Sequence, residues 1–119
     1  PKFLFEYGQC LSKTGQYEEG IRILTEGTRL SADPMFYNIM GKDAEALKHF
    51  GQAEACFKQA SYMVPHRLYP LYLLAKMYFE SGQSEKGRDM ARQVIQKEPK
   101  VMSDAVKEMK AELEERLKP

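Results

Sequence analysis

The side chains in this 119-residue chain that could do acid–base, nucleophilic or metal chemistry are two histidines, two cysteines and 17 carboxylates. Their spacing favours none of those chemistries. Cys10 and Cys56 have neither CxxC spacing nor an adjacent histidine, so zinc and dithiol redox sites lack their usual framework. Both read as small apolar side chains on helices. His49 and His66 fall in predicted turns far apart in sequence and read as surface or capping groups. Neither a G-x-S-x-G nor an H-E-x-x-H segment occurs. Gly41-Lys42 has the spelling that ends a phosphate-binding loop, but Asp43 follows where a hydroxyl is needed and no upstream glycine fits. The pair reads as a helix-crossing glycine and a solvent lysine. Glu18-Glu19 opens a helix, where carboxylates suit the positive end of the dipole. Glu112, Glu114 and Glu115 read as a solvated face. No enzyme activity, cofactor or metal is expected.

Composition points the same way. Apolar residues make up 43% and charged residues 29%, an ordinary globular mix in a length that suits one domain. The net charge of +1 favours neither nucleic acid nor an anionic membrane surface. The longest apolar run, Leu71 to Ala75, is far too short to cross a bilayer. No signal peptide is visible, and the chain enters a helical pattern directly after Pro1, as expected of a piece of a longer protein.

The elements that must position any site are helices. Phe3, Leu4, Tyr7, Cys10 and Leu11 recur at helical spacing over Lys2–Lys13, and Thr14-Gly15-Gln16 ends that helix. A second is expected over Tyr17–Leu30, with Ile21, Leu24 and Leu30 on one side. Ser31-Ala32-Asp33-Pro34 turns the chain into a third, Met35–Leu47. A tight Lys48-His49-Phe50 link without glycine leads to a fourth, Gly51–Met63. The fifth spans Leu68–Glu80, and Ser81-Gly82-Gln83 repeats the first turn. The sixth, Ser84–Lys97, is closed by Pro99. A seventh covers Met102–Lys118, with an apolar stripe of Met102, Ala105, Val106, Met109, Leu113 and Leu117. Glu112–Arg116 and Glu114–Lys118 are spaced for ion pairs on its outer side. No strand is needed.

A repeat runs through these helices. Ala53, Phe57, Ala60 and Pro65 recur 33 residues earlier as Gly20, Leu24 and Gly27, and 34 later as Gly87, Ala91, Val94 and Pro99. The first helices share the register: Leu4, Tyr37 and Leu71; Tyr7, Met40 and Leu74; Gly8, Gly41 and Ala75. This pattern resembles the tetratricopeptide repeat, a 34-residue helix–turn–helix unit. The chain lacks the family's tryptophan, and Ala91 stands where the second helix should carry an aromatic. The resemblance implies one all-α domain over residues 1–119, a right-handed superhelix. It would hold units at about 1–33, 34–67 and 68–101 and a capping helix over about 102–118. Gly41 is expected to pack too closely on the next helix for leucine, whereas alanine should be mild because Ala75 fills the matching place. A narrower resemblance lies in Gly20–Leu24, Asp33–Asn38 and Met63–Tyr72, which look like soluble C-terminal repeats of bacterial O-antigen ligase/polymerase-type membrane proteins. That would put glycan transfer in a preceding membrane region, and this chain in the periplasm rather than the cytoplasm.

The family resemblance also implies that the first helix of each unit lines a concave groove. The candidate partner-binding residues are then Phe5, Gln9, Asn38, Lys42, Tyr69, Tyr72, Lys76 and Phe79. The family's clamp for acidic chaperone tails needs basic and amide residues where this chain has Phe5, Ile39, Tyr69 and Leu73; only Gln9 comes close. An aromatic, weakly charged groove suits an extended or helical peptide. Tyr72 is its expected centre, important for binding and of little weight in stability. The expected function is a non-catalytic protein-interaction module with a protein or peptide partner. The alternatives are an accessory domain of an O-antigen ligase-like membrane enzyme, and a self-association module that forms a homodimer through the open N-terminal face of the first unit. No nucleic acid and no membrane insertion by this segment are expected.

Overall fold

The computed structural model describes residues 2–99 and 102–119, and those residues form seven α-helices. They are α1 Lys2–Lys13, α2 Tyr17–Thr28, α3 Pro34–Ala46, α4 Phe50–Met63, α5 Tyr69–Glu80, α6 Ser84–Gln96 and α7 Asp104–Leu117. The fold is an all-α superhelical repeat of three helix–turn–helix units and a capping helix.

The three hairpin turns are copies of one another. Gly15 and Gly82 are left-handed at φ 81°, and Lys48, at the matching place in the middle hairpin, is left-handed at φ 63°. In each turn the next amide reaches back five residues: Gln16 to Leu11, His49 to Ala44 and Gln83 to Tyr78, all at 2.8 Å. This is the Schellman closure, which satisfies carbonyls that the helix end would otherwise leave bare. The link without glycine is therefore the same turn as the others.

Between hairpins the stops differ. α2 ends at Thr28, two residues short of the expectation, because the Arg29 and Leu30 amides bond to the Glu26 and Gly27 carbonyls in a tightened last turn. Leu30 is left 64% exposed, so it does not share the buried side of Leu24. Asp33 caps α3 by accepting from the Met35 amide at 2.9 Å, with Pro34 in the first turn. Ser103 caps α7 in the same manner. Met102 therefore precedes the helix, and neither it nor Ala105 joins the buried stripe; both are exposed.

Contacts between units decide the shape. α1 touches α3, α3 touches α5 and α5 touches α7, whereas α2, α4 and α6 do not touch one another. A stack that is closed up on one layer and open on the other must curve, with α1, α3, α5 and α7 on the inside. Within each hairpin the crossing is matched by size. A methyl group on Gly8 would collide with Leu24, and one on Gly41 with the Phe57 ring. In the third hairpin Ala75 has that methyl, and Ala91 supplies the space. This explains why Ala91 replaces an aromatic. It also corrects the expectation for Gly41→Ala, since what fits at position 75 overlaps Phe57 at position 41.

The core falls in three linked clusters. Leu24, Phe36, Ile39, Met40 and Cys56 join the first two hairpins. Ala53, Phe57, Leu74, Met77 and Tyr78 join the second and third. Ala75, Ala91, Val94 and Leu113 seat α7 on the third. Lys110 of α7 also donates to the Ile95 and Lys97 carbonyls at 3.0 and 2.8 Å, capping the C-terminal end of α6.

Candidate peptide-binding groove

The inner layer carries the candidate residues, but the structure treats them unequally. Phe5 on α1 is half-buried and meets Phe36 edge-on at 5.2 Å, so part of the ring belongs to the core. Gln9, one turn later, is half-buried, and Lys42 on α3 is exposed. Asn38 is only 3% exposed, which corrects its assignment to the groove surface. Its amide nitrogen makes a long contact with the Met35 sulfur, 3.5 Å, and its oxygen has no protein partner among the described residues. Spacing shows which turn of α3 Asn38 occupies, but not that its side chain is closed off beside Met35.

On α5, Tyr69 and Tyr72 stack with ring centres 6.2 Å apart. The Tyr72 hydroxyl donates to Glu112 of α7 at 2.7 Å and accepts from Lys76 at 3.1 Å. Lys76 in turn pairs with Glu112 at 3.1 Å and lies over the Tyr72 ring. Phe79 is half-buried against Gly87, with the Arg116 guanidinium 5.1 Å from its ring centre. Tyr72, Lys76 and Phe79 are thus already partnered by α7, and Tyr69 remains at the free edge. Beside Tyr69 is an open cleft, lined by His66, Arg67, Leu68, Val106 and Met109.

Sequence reading missed Glu112 and Arg116. Both were assigned to an outer, solvated face and to an ion pair with each other; Glu112 pairs across to Lys76 instead, and Arg116 covers Phe79. Lys118 likewise pairs with Glu115, not Glu114. α7 lies outside the repeat register, so no internal copy shows which of its sides turns inward. Cys10 is exposed, contrary to the apolar role expected of it.

Burial raises the Glu45 carboxyl and Glu80 adds to the rise, against the attraction of Lys76 and Lys42. At Glu112 burial is overcome by the bonds from Tyr72 and Lys76, which hold its carboxyl below the usual range. No three potential metal ligands gather among the described residues, and no helix there is long and apolar enough to cross a membrane.

Comparison with known proteins fits this architecture. Family models described as tetratricopeptide repeat match residues 1–34 and 71–100, together more than half of the chain. The chain belongs to the tetratricopeptide repeat family. No curated protein sequence matches it. Among solved structures, the first tetratricopeptide repeat domain of Spaghetti (RPAP3), bound to HSP90 peptide SRMEEVD, superposes with a TM-score of 0.75 at 20% identity, covering 97% of this chain and 93% of that one. The Sgt2 domain from Aspergillus fumigatus gives 0.77 at 15% identity, covering 98% and 78%. PcrH, in complex with the chaperone binding region of PopB, gives 0.75 at 15% identity, covering 98% and 93%. At these identities the likeness is one of fold. Tetratricopeptide repeats place their first helices on the inner layer, as α1, α3 and α5 lie here.

Proposed function

We propose that this chain is a non-catalytic interaction module that receives a peptide segment of a partner protein along the inner layer. Phe5 and Gln9 would lie at one end, Lys42 in the middle, and Tyr69 with the Tyr72–Lys76–Glu112 group at the other. The observation that carries this reading is the Tyr69–Tyr72 stack. Its two rings are half-buried side by side on α5, and Tyr69 lines the open cleft beside them. Two domains of the same fold were solved with protein segments bound, one an HSP90 peptide and the other a region of PopB. An acidic tail is a poor fit here, because Ile39 and Leu73 are buried apolar residues where a clamp would need polar ones.

The reading is tested by panning a random peptide library on the chain and titrating the enriched peptides into wild-type protein and Tyr69→Ala by calorimetry. Loss of one hot-spot aromatic should weaken binding about tenfold or more. Peptides that bind both proteins equally would place the site elsewhere. Two other readings keep a specific motive. The spelling of Met63–Tyr72 suggests an accessory domain of a membrane glycan transferase, and membrane spans upstream in the full-length gene product would favour it. Phe3 and Tyr7, 73% and 42% exposed on α1, suggest self-association, which light scattering after gel filtration would reveal.

A further inference from the structure

Asp43 of α3 is 1% exposed, and it sits at the seam where the α1–α2 hairpin packs on the rest of the chain. The Ser12 hydroxyl of α1 donates to its Oδ2 at 2.8 Å. That same hydroxyl lies 3.0 Å from the Gly8 carbonyl oxygen, a second acceptor. One hydroxyl hydrogen cannot serve both. If Asp43 carries a proton, its own O–H can donate to Ser12, and Ser12 is free to donate to Gly8. Two hydrogens then serve two acceptors. If Asp43 is ionised, Ser12 must donate to it, since the Gly8 carbonyl already accepts the Ser12 amide within α1, and a buried carboxylate with that single side-chain bond is costly inside the seam. α2 leaves the space for this arrangement. A side chain at Gly20 would stand 3.0 Å from Asp43 Oδ2 and 3.1 Å from Ser12 Oγ.

We propose that Asp43, Ser12 and the Gly8 carbonyl form a proton-dependent latch that holds the first hairpin to the rest of the chain, tight when Asp43 is protonated and looser when it is ionised. The surroundings agree. α1 presents the neutral Ser12, α2 presents Gly20, and α4 presents the Cys56 thiol. Burial, and then the charge of Asp43, push that thiol up to about 11, so it stays neutral at ordinary pH. Lys42, the neighbour in sequence, is exposed, and among the described residues no cation lies at ion-pair distance from Asp43. Burial accordingly raises the Asp43 carboxyl to about 6, with the Ser12 bond and Lys42 only partly opposing.

The direction of the effect follows. With the hairpin open, Asp43 titrates at its ordinary value, 3.8; with it closed, at about 6. Between those values, raising the pH removes a proton from the open form only, so opening becomes easier. Above the upper value both forms are ionised and the effect levels off. The latch does not depend on what the groove binds.

Hydrogen exchange of the intact chain at pH 5 and pH 7.5, corrected for intrinsic rates, tests it. Protection of the core amides of α1 and α2 should fall about tenfold across that interval. In Asp43→Asn, whose amide offers a donor and an acceptor at every pH, protection of α1 and α2 should be the same at both. A wild-type protein whose α1 and α2 protection is the same at both pH values, or an Asn variant with the wild-type pH dependence, would overturn the latch. If the variant fails to fold, an NMR titration of the Asp43 carboxyl carbon in the wild type decides the matter: a midpoint near 6 supports the latch, and one near 3.8 removes it.

Discussion

Tyr72 shows that spacing can place a side chain on an element without revealing what it bonds. Its place on the inner layer follows from spacing, and it lies there, but its hydroxyl links α5 to α7 through Glu112. A residue so engaged contributes to stability, contrary to the expectation that it serves binding alone. Tyr72→Phe keeps the ring and removes the two hydrogen bonds, so it should cost about 0.5–1.5 kcal/mol in a urea melt. Tyr72→Ala also forfeits packing in two of the three clusters, and about 1–3 kcal/mol is expected for a half-buried ring. The Lys76–Glu112 pair adds little by itself, since both side chains are a third or more exposed. A phenylalanine variant as stable as wild type would mean that the link to Glu112 does not hold in solution. For tests of binding Tyr69 is the better target, because α7 does not engage it.

At the scale of the element, the middle turn carries the sharpest expectation. Lys48 adopts the left-handed conformation that Gly15 and Gly82 take in the flanking hairpins. A side chain there crowds its own carbonyl, at a cost of roughly 1 kcal/mol that glycine avoids. Lys48→Gly should therefore raise stability by about 0.5–1 kcal/mol, measured as a higher urea midpoint at unchanged slope. A lower midpoint would mean that glycine's extra freedom in the unfolded chain outweighs the strain relieved. This turn also marks how far the sequence could be read. Glycine announces a left-handed residue, so the first and third turns were legible; lysine does not, and only the 33-residue register shows that position 48 is the same place. The crossing pairs were legible one side at a time. Gly41 was seen as a close approach, but that its neighbour is Phe57, and that Ala75 is permitted by Ala91, depends on knowing both partners. The inward turn of Glu112 was out of reach, because α7 has no copy elsewhere in the chain.

Over the whole molecule, the three clusters are not independent. Ile21 packs against the first and the middle cluster, and Leu71, Tyr72 and Met90 pack against the middle and the last. In a linear stack, such shared side chains are the nearest-neighbour terms that make the units unfold together. Leu24 in the N-terminal cluster and Leu113 in the C-terminal one are both fully buried. Leu24→Ala and Leu113→Ala should each cost about 2–5 kcal/mol, and each should move one common transition. Far-UV circular dichroism and tyrosine fluorescence are the probes to compare, since the chain has seven tyrosines and no tryptophan. Coincident curves in every variant would show that the bridging residues couple the two ends. The two substitutions share no cluster, so their costs in the double variant should add to within about 0.5 kcal/mol. If Leu113→Ala instead splits the curve, with part of the helical signal lost before the tyrosine signal moves, then α7 unfolds alone, and the links through Leu71, Tyr72 and Met90 are too weak to bind the cap to the stack.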